Sequence, residues 1–122
     1  MANKLCVGFI GSGFVTKFHL QAWRGVRDAG VLGIYSPNPD HAAATAALAR
    51  ELRVGNASPF NSIEEMVAAP HIDCLWLCGP NDKRLQNMQA ICEALDSRKG
   101  TLIGIPCEKP LARNTAEARH RF

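Results

Sequence analysis

Residues 4–16 of the chain, KLCVGFIGSGFVT, decide the fold class. A short apolar run ends at closely spaced glycines, and beyond Phe14 the apolar residues Val15, Phe18 and Ala22 recur at helical spacing. An apolar run that stops at glycines is typical of a buried strand entering a tight turn, and the change of period marks the start of a helix. The stretch therefore predicts a strand, Lys4 to Ile10, then a glycine turn and an amphipathic helix.

The following segments continue the alternation of helix and strand. Val26 and Ala29 keep the helical spacing, so we expect the first helix to run to Ala29 and to be capped at its C-terminus by Gly30. Val31 to Ser36 then predicts a second strand. Asn38 followed by Pro39 is typical of a helix start, because asparagine caps the first free N–H groups and proline fits the first turn. This second helix is predicted to end near Arg53.

The rest of the chain repeats the same alternation. Ser62 with Glu65 three residues later forms a capping box, which predicts a short helix. The other expected elements are a brief strand at Ser58–Phe60, a buried strand at Ile72–Cys78, a helix at Asp82–Asp96, a strand at Thr101–Cys107 and a short helix from Asn114.

These elements predict an α/β fold with a doubly wound parallel sheet, a Rossmann fold, in the strand order 3-2-1-4-5. The chain reaches Phe122 before a sixth strand, so we expect a sheet truncated at that point. Ligands of such sheets bind at the carboxyl ends of the strands where the winding reverses. That position lies between the first strand and the strand ending at Cys78.

Composition narrows the function classes. The 122 residues fit one domain, and the net charge of +3 comes from the last 14 residues, since basic and acidic residues balance over residues 1–108. This balance argues against a nucleic-acid surface. The sequence has no apolar segment of about 20 residues and no signal-peptide pattern, so we expect a cytoplasmic protein without a membrane contact.

The five cysteines have an odd number and no Cys-x-x-Cys spacing, which argues against a disulfide framework and a metal site. We expect them to be small core residues. Cys74 and Cys78 are predicted to share one face of a strand, and Cys92 to lie on the apolar stripe of the helix that follows.

The glycine turn resembles a phosphate-binding loop. Gly11 and Gly13 begin the Gly-x-Gly-x-x-Gly pattern of dinucleotide sites, and Thr16 stands where the third glycine is usual. Gly11 would permit the tight turn, and Gly13 would let the backbone approach a pyrophosphate. Phe14 and Val15 begin the helix whose first N–H groups would meet the negative charge. The bulk of Thr16 predicts slightly wider packing of helix against strand.

The end of the second strand bears on the choice between NAD and NADP. A site that prefers NAD usually has an acidic residue there for the ribose hydroxyls, and this chain has Ser36 and Asn38 instead. Asp40 falls in the first turn of the next helix, where it favours the helix dipole. Without the acid there is less repulsion toward a 2′-phosphate, so we expect NADP to be slightly favoured over NAD.

Three motifs together resemble one enzyme family. GSGFVTKFH at 11–19, GPN at 79–81 and CEKPL at 107–111 occur in the same order in the N-terminal domain of the Gfo/Idh/MocA oxidoreductases. The resemblance implies oxidation or reduction of a sugar, polyol or similar substrate with a nicotinamide cofactor. It implies a catalytic role beside the nicotinamide for Lys109, and it implies a cofactor site that includes Gly79, Pro80, Asn81 and Glu108.

His19 belongs to the first of these motifs and lies on the predicted first helix. We expect it to be a helix-packing or capping partner rather than a catalyst. His41, His71 and His120 have no partners at metal or triad spacing, and we assign them no role.

The chain departs from the family in length. Family members carry a second α/β domain that binds substrate, and residues 1–122 contain only the nucleotide-binding domain. We therefore expect a chain that binds cofactor but turns over substrate only when a second domain is supplied. The strand Thr101–Cys107 would be an apolar edge, which predicts a homo-oligomer.

Two other functions remain open at this point. One is a non-catalytic NAD(P)-binding module that acts as a redox sensor or as an interaction partner of another protein. The second is a nucleotide-like site of different chemistry, such as a methyltransferase, although Ser36 stands where that fingerprint usually has an acid.

Overall fold

The computed structural model of the chain describes residues 5–78 and 84–96, together with Leu102, Gly104 and Ile105. In chain order the strands and helices are β1 (Leu5–Ile10), α1 (Phe14–Ala22), β2 (Ala29–Tyr35), α2 (Pro39–Glu51), β3 (Ser58–Phe60), α3 (Ile63–Ala68), β4 (Cys74–Leu77) and α4 (Arg84–Asp96). A 3-10 turn at Trp23–Gly25 follows α1. Among the described helices, none has both the length and the apolar character needed to cross a membrane.

The strands form one parallel sheet in the order β3-β2-β1-β4. This order confirms the doubly wound fold, because β1 lies in the middle and the winding reverses beside it. Gly104 makes a parallel bridge to Cys74 on the other side of β4, and its carbonyl oxygen accepts the Leu75 N–H at 3.4 Å. Most of the predicted fifth strand and the helix from Asn114 lie outside the described residues.

Apolar side chains cover both faces of the sheet. On one face Phe9 and Val31 pack with Leu20 of α1 and with the alanines of α2. On the other face Ile10 and Leu75 pack with residues of α3 and α4, including Met66 and Ile91. Successive residues of a strand point to opposite faces, so strands buried on both sides must be continuously apolar. The continuous apolar runs in the sequence arise for this reason.

The first helix ends earlier than its spacing predicts. α1 stops at Ala22, and Ala29 and Gly30 belong to β2, so the prediction of Gly30 as a helix cap is wrong. Pairing with β1 decides the outcome, since Leu5 and Ala29 are register partners and the Leu5 N–H donates to the Asp28 carbonyl oxygen at 2.9 Å. The indole N–H of Trp23 also donates to the Ala29 carbonyl oxygen, at 3.0 Å. A continuous helix could not supply these bonds.

The predicted starts of α2 and α3 are confirmed. The Asn38 side-chain oxygen accepts the Asp40 N–H at 2.9 Å, and the Ser62 hydroxyl oxygen accepts the Glu65 N–H at 3.0 Å. Each side chain thereby satisfies an N–H group that has no partner within its helix.

The four described cysteines differ in burial, and Cys107 lies outside the described residues. Cys6 is half-buried. Cys74 and Cys78 are buried in the same cluster on one face of the sheet, as predicted. Cys92 is exposed, so its assignment to the apolar stripe of the helix is wrong. The buried residues of α4 are Ile91 and Ala94, which rotates the stripe by one position away from Cys92.

Candidate functional site

The carboxyl ends of three strands meet at the loop formed by Gly11 to Gly13, which we call the glycine loop. The Gly11 N–H donates to the carbonyl oxygen of Tyr35, the last residue of β2, at 2.7 Å. The Cys78 N–H donates to the Ile10 carbonyl oxygen at 2.9 Å, which brings the end of β4 to the same point. The ends of β1 and β4 thus lie together where the sequence predicts the ligand crevice.

Gly11 is a glycine for conformational reasons. Its φ angle is 121°, a region that residues with a Cβ rarely adopt. This backbone angle turns the chain out of β1 and toward α1. The tight turn predicted for this position is confirmed.

Gly13 differs from Gly11 in its backbone angles. Its φ of -84° and ψ of -160° suit any residue. A Cβ built on it meets no described atom within 4 Å. Neither backbone angle nor packing therefore requires glycine in the described part of the chain. What a Cβ would remove is open space directly against the backbone, which is what close approach of a ligand needs.

The N-terminus of α1 opens onto this space. Gly13 is its N-cap residue, no side chain caps it, and no acidic residue lies in its first turn. The first N–H groups of a helix lack acceptors within it, and the positive end of the helix dipole lies there. Val15, in this turn, is half-buried. Phe14 begins the helix, and its side chain lies outside the part of the chain that is described.

Ser36 joins the glycine loop to the end of β2. Its side chain is only 8% exposed, and the Ser12 hydroxyl donates to the Ser36 hydroxyl oxygen at 3.0 Å. Asn38 lies two residues further and uses its side-chain oxygen to cap α2. Asp40 lies in the first turn of α2, as predicted for a residue that favours the helix dipole. The structure thus brings Ser36 to the loop through Ser12, which sequence reasoning did not single out.

Thr16 contributes a contact that sequence reasoning also missed. Its side chain is fully buried, and its hydroxyl donates to the Gly11 carbonyl oxygen at 2.9 Å. The sequence predicted for Thr16 only an effect of its bulk, because it stands in place of a glycine. The signal available was its chemistry, because threonine hydroxyls near a helix start often bond back to a preceding carbonyl.

Five other predicted site residues lie outside the described residues. They are Gly79, Pro80, Asn81, Glu108 and Lys109. Their assignment to the cofactor site, and the catalytic role of Lys109, therefore stay predictions.

The side chain of His19 packs against aromatic rings near the sheet. The His19 ring lies 4.8 Å from the Trp76 ring and 6.0 Å from the Phe9 ring, which confirms a packing role for this histidine.

Burial, with the Asp73 carboxylate as a second cause, raises the pKa of the Cys6 and Cys74 thiols. A raised pKa keeps a thiol protonated and unreactive. No cluster of metal-ligating side chains occurs within the described ranges.

Comparison with known proteins assigns the family. The profile of the Gfo/Idh/MocA family, an oxidoreductase family with an NAD-binding Rossmann fold, matches residues 5–121. The chain belongs to the Gfo/Idh/MocA family. The glycine loop is thus part of an NAD-binding Rossmann domain. None of the curated proteins matches the sequence.

Solved structures share this Gfo/Idh/MocA fold. Myo-inositol dehydrogenase from Lactobacillus casei, in complex with NAD(H) and myo-inositol, has a TM-score of 0.77, 24% identity and coverage of 97% of this chain and 32% of its own. Biliverdin reductase from Synechocystis, in complex with biliverdin and NADP+, has a TM-score of 0.72 and 20% identity, and the match covers 96% of this chain and 33% of its own. A super-repressor mutant of Gal80p from Saccharomyces cerevisiae has a TM-score of 0.82 and 22% identity, and the match covers 97% of this chain and 31% of its own. The chain spans about a third of the length of these proteins.

Proposed function

We propose that residues 1–122 are the cofactor-binding domain of an oxidoreductase that acts on CH–OH groups of a sugar, polyol or similar substrate. The observation that carries the proposal is Gly13, because no described atom lies within 4 Å of a Cβ built on this residue at a helix N-terminus. The family supports the nicotinamide cofactor. The substrate class is favoured by the solved complex of a neighbour with myo-inositol.

The described residues fit a dinucleotide. A pyrophosphate carries negative charge, and the glycine loop offers backbone N–H groups, a helix N-terminus and no acidic side chain in its first turn. Gly11 and Gly13 form part of the loop backbone, while Ser12 and Ser36 place hydroxyl groups at the end of β2. When bound, the nicotinamide supplies the hydride acceptor or donor.

Lys109 is our candidate catalytic residue. In this proposal its ammonium group orients the substrate hydroxyl and assists its proton transfer. Gly79, Pro80, Asn81 and Glu108 complete the cofactor site. These assignments rest on the family resemblance of the motifs that contain the residues.

A second domain would enclose the substrate. Holding reactants in an oriented, water-excluded complex supplies roughly 7 to 11 kcal/mol of a barrier, and one domain offers only one wall of such a site. We expect residues 1–122 to bind cofactor without turning over sugars or polyols. Turnover by this chain that disappears in Lys109→Ala would contradict that expectation and point to self-association as the source of the other wall.

Cofactor choice follows from Ser36. It lies at the end of β2 with a hydroxyl that can donate to a 2′-phosphate, and no carboxylate replaces it there. We propose that NADP binds at least as tightly as NAD and that Ser36→Asp shifts the preference toward NAD. A clear preference of the wild-type chain for NAD would overturn this assignment.

Cofactor binding by Gly13 variants tests the main proposal. Gly13→Ala should weaken binding of NADP and NAD at least tenfold in calorimetry, and Gly13→Val should abolish it, because each Cβ occupies the space next to the backbone. Gly25→Ala is the matched control, since its Cβ also meets nothing within 4 Å and it lies in the 3-10 turn after α1. Equal affinity of the wild type and the Gly13 variants would refute the loop assignment.

A non-catalytic NAD(P)-binding module is the second candidate. The similarity to the Gal80p super-repressor mutant favours this module, because a protein named as a repressor has the same domain fold. The candidates differ when the chain is tested within the longest protein that its gene encodes. Substrate-dependent reduction of NAD or NADP supports the oxidoreductase, and cofactor binding without any turnover supports the module.

We also propose that the chain forms a homo-oligomer through the strand Thr101–Cys107. The proposal rests on the apolar sequence of that strand and on its place at the edge of the predicted order. Sedimentation of a clean monomer at high concentration would count against it.

A further inference from the structure

Gly11 is held on both sides by hydrogen bonds from different parts of the fold. Its N–H donates to Tyr35 of β2, and its carbonyl oxygen accepts the hydroxyl proton of Thr16 in α1, at 2.7 and 2.9 Å. Gly11 needs this support because its backbone has the freedom of glycine and lies at a φ of 121°. The Thr16 hydroxyl thus supplies one of the bonds that hold the backbone of the glycine loop, and it is the side chain that bonds Gly11.

We propose that Thr16 is a positioning residue for the pyrophosphate of the bound dinucleotide, an inference that rests on the proposed function. In a trans peptide, the carbonyl of one residue and the N–H of the next point in opposite directions. By fixing the Gly11 carbonyl toward its own hydroxyl, Thr16 also fixes the Ser12 N–H in the opposite direction. It acts through this peptide group without touching the ligand itself.

The proposal reverses the usual expectation for this position. The third glycine of a dinucleotide fingerprint permits close packing of helix and strand. Here the threonine side chain is already accommodated, since it is fully buried. Thr16→Gly would restore the fingerprint but remove the hydroxyl and add backbone freedom at the first turn of α1. We therefore expect the restored fingerprint to bind the dinucleotide less tightly.

Calorimetric titration of the 122-residue chain with NADP and with NAD tests the proposal. Thr16→Ser keeps the hydroxyl and should bind within about twofold of the wild type. Thr16→Val has nearly the same shape without the hydroxyl, and it should bind roughly fivefold to tenfold more weakly, the effect of one lost hydrogen bond. Thr16→Gly should be weakened by a similar factor.

Thr45→Val is the matched control. Thr45 is the other threonine that is nearly fully buried among the described residues, and it lies on α2 rather than beside the glycine loop. It should leave the affinity within twofold of the wild type. Equal affinity of Thr16→Val and the wild type, or tighter binding by Thr16→Gly, would overturn the proposal.

Hydrogen exchange without cofactor separates this inference from the proposed function. The Gly11 and Lys17 amides are hydrogen-bonded, to the carbonyl oxygens of Tyr35 and Gly13, so their exchange reports opening of the loop. Loss of the hydroxyl should speed exchange of both amides in Thr16→Val, and Thr16→Ser should restore the wild-type rates. If the wild type binds neither dinucleotide, the proposed function and the pyrophosphate role both fail. The exchange rates still decide whether Thr16 holds the loop, and unchanged rates in Thr16→Val would refute that role as well.

Discussion

The strands of the sheet begin at one side, which we call the amino edge, and end at the other, which we call the carboxyl edge. Both edges have a glycine next to a β-strand, but for opposite reasons. At the carboxyl edge, a Cβ on Gly13 would meet no described atom within 4 Å. At the amino edge, a Cβ on Gly55 would overlap the backbone of Val31 in β2, including its nitrogen at 2.5 Å. The amino edge is filled by the chain itself, whereas no described residue fills the space beside Gly13 at the carboxyl edge. A glycine is evidence for a ligand only where the fold does not already require it.

Hydrogen bonding differs between the edges in the same sense. At the amino edge, Asp73 and Cys6 exchange two bonds: the Cys6 N–H donates to the Asp73 carboxylate at 2.8 Å, and the Asp73 N–H donates to the Cys6 carbonyl oxygen at 2.7 Å. At the carboxyl edge, bonds from Thr16 and Gly11 hold the loop backbone in place but leave the start of α1 without a side-chain cap.

The largest effect should come from exchanging alanine for glycine at the amino edge. Gly55→Ala forces a Cβ into the Val31 backbone, and neither segment can move without breaking the bond from the Val31 N–H to the Val54 carbonyl oxygen. We expect a loss of roughly 3 kcal/mol or more in the free energy of unfolding, at the upper end of overpacking costs. Urea unfolding followed by tryptophan fluorescence measures it.

Gly13→Ala is the same substitution at the other edge and serves as its control. Its unfolding free energy should stay within about 0.5 kcal/mol of the wild type, as for surface changes. Equal destabilisation of the two variants would remove the distinction between the edges.

Removal of the Asp73 carboxylate should have the next largest effect. Asp73→Ala leaves the Cys6 N–H without its charged acceptor, which costs about 1 to 3 kcal/mol of unfolding free energy. Affinity for NADP should not change, because the site lies at the opposite edge. Asp28→Ala is the control, since Asp28 is exposed and bonds Leu5 through its backbone carbonyl. A loss of affinity matching the loss of stability would show that the edges are coupled.

Local sequence signals predicted most of the fold. The caps at Asn38 and Ser62, the weak strand Ser58–Phe60 and the strand order around β1 follow from residues close together in sequence. The end of α1 did not, because Val26 and Ala29 fit a helix locally and only pairing with β1 assigns Ala29 to a strand. Propensity gives way to tertiary contacts at such boundaries.

The candidate site divides along the same line. The tight turn at Gly11 was predictable, since a positive φ is a property of a single residue. The close approach of a ligand at Gly13 stays a prediction. The bonds from Ser12 to Ser36 and from Thr16 to Gly11 were not predictable. Ser12 and Ser36 are 24 residues apart, and they meet only because β1 and β2 pair in parallel.

Alkaline pH should lower the free energy of unfolding through the thiols of Cys6 and Cys74. Burial first, and the Asp73 carboxylate second, raise the pKa of Cys6 and Cys74 above the ordinary value of 9.0. An unfolded chain ionises these thiols at lower pH than the folded chain, so stability is full below about pH 9 and falls as the pH rises toward the raised values. The free energy of unfolding, measured between pH 7 and pH 10, should decline less in Cys74→Ala than in the wild type. Parallel profiles would show that the buried thiol plays no part.

The smallest effect should be a gain in stability at Arg53, just before Gly55. Arg53 has a φ of 60°, and the N–H groups of Arg53 and Val54 donate back to the carbonyl oxygens of Arg50 and Ala49 at the end of α2. These two bonds form a Schellman motif, whose left-handed residue is usually glycine. Arg53→Gly relieves the left-handed strain of about 1 to 2 kcal/mol, and the greater freedom of glycine in the unfolded chain offsets part of it. We therefore expect a gain of about 0.5 kcal/mol in urea unfolding, with unchanged affinity for NADP. Arg24→Gly in the 3-10 turn is the control and should lower stability, because no positive φ favours glycine there. A loss of stability in Arg53→Gly would mean that the arginine side chain contributes more at this edge than its backbone strain costs.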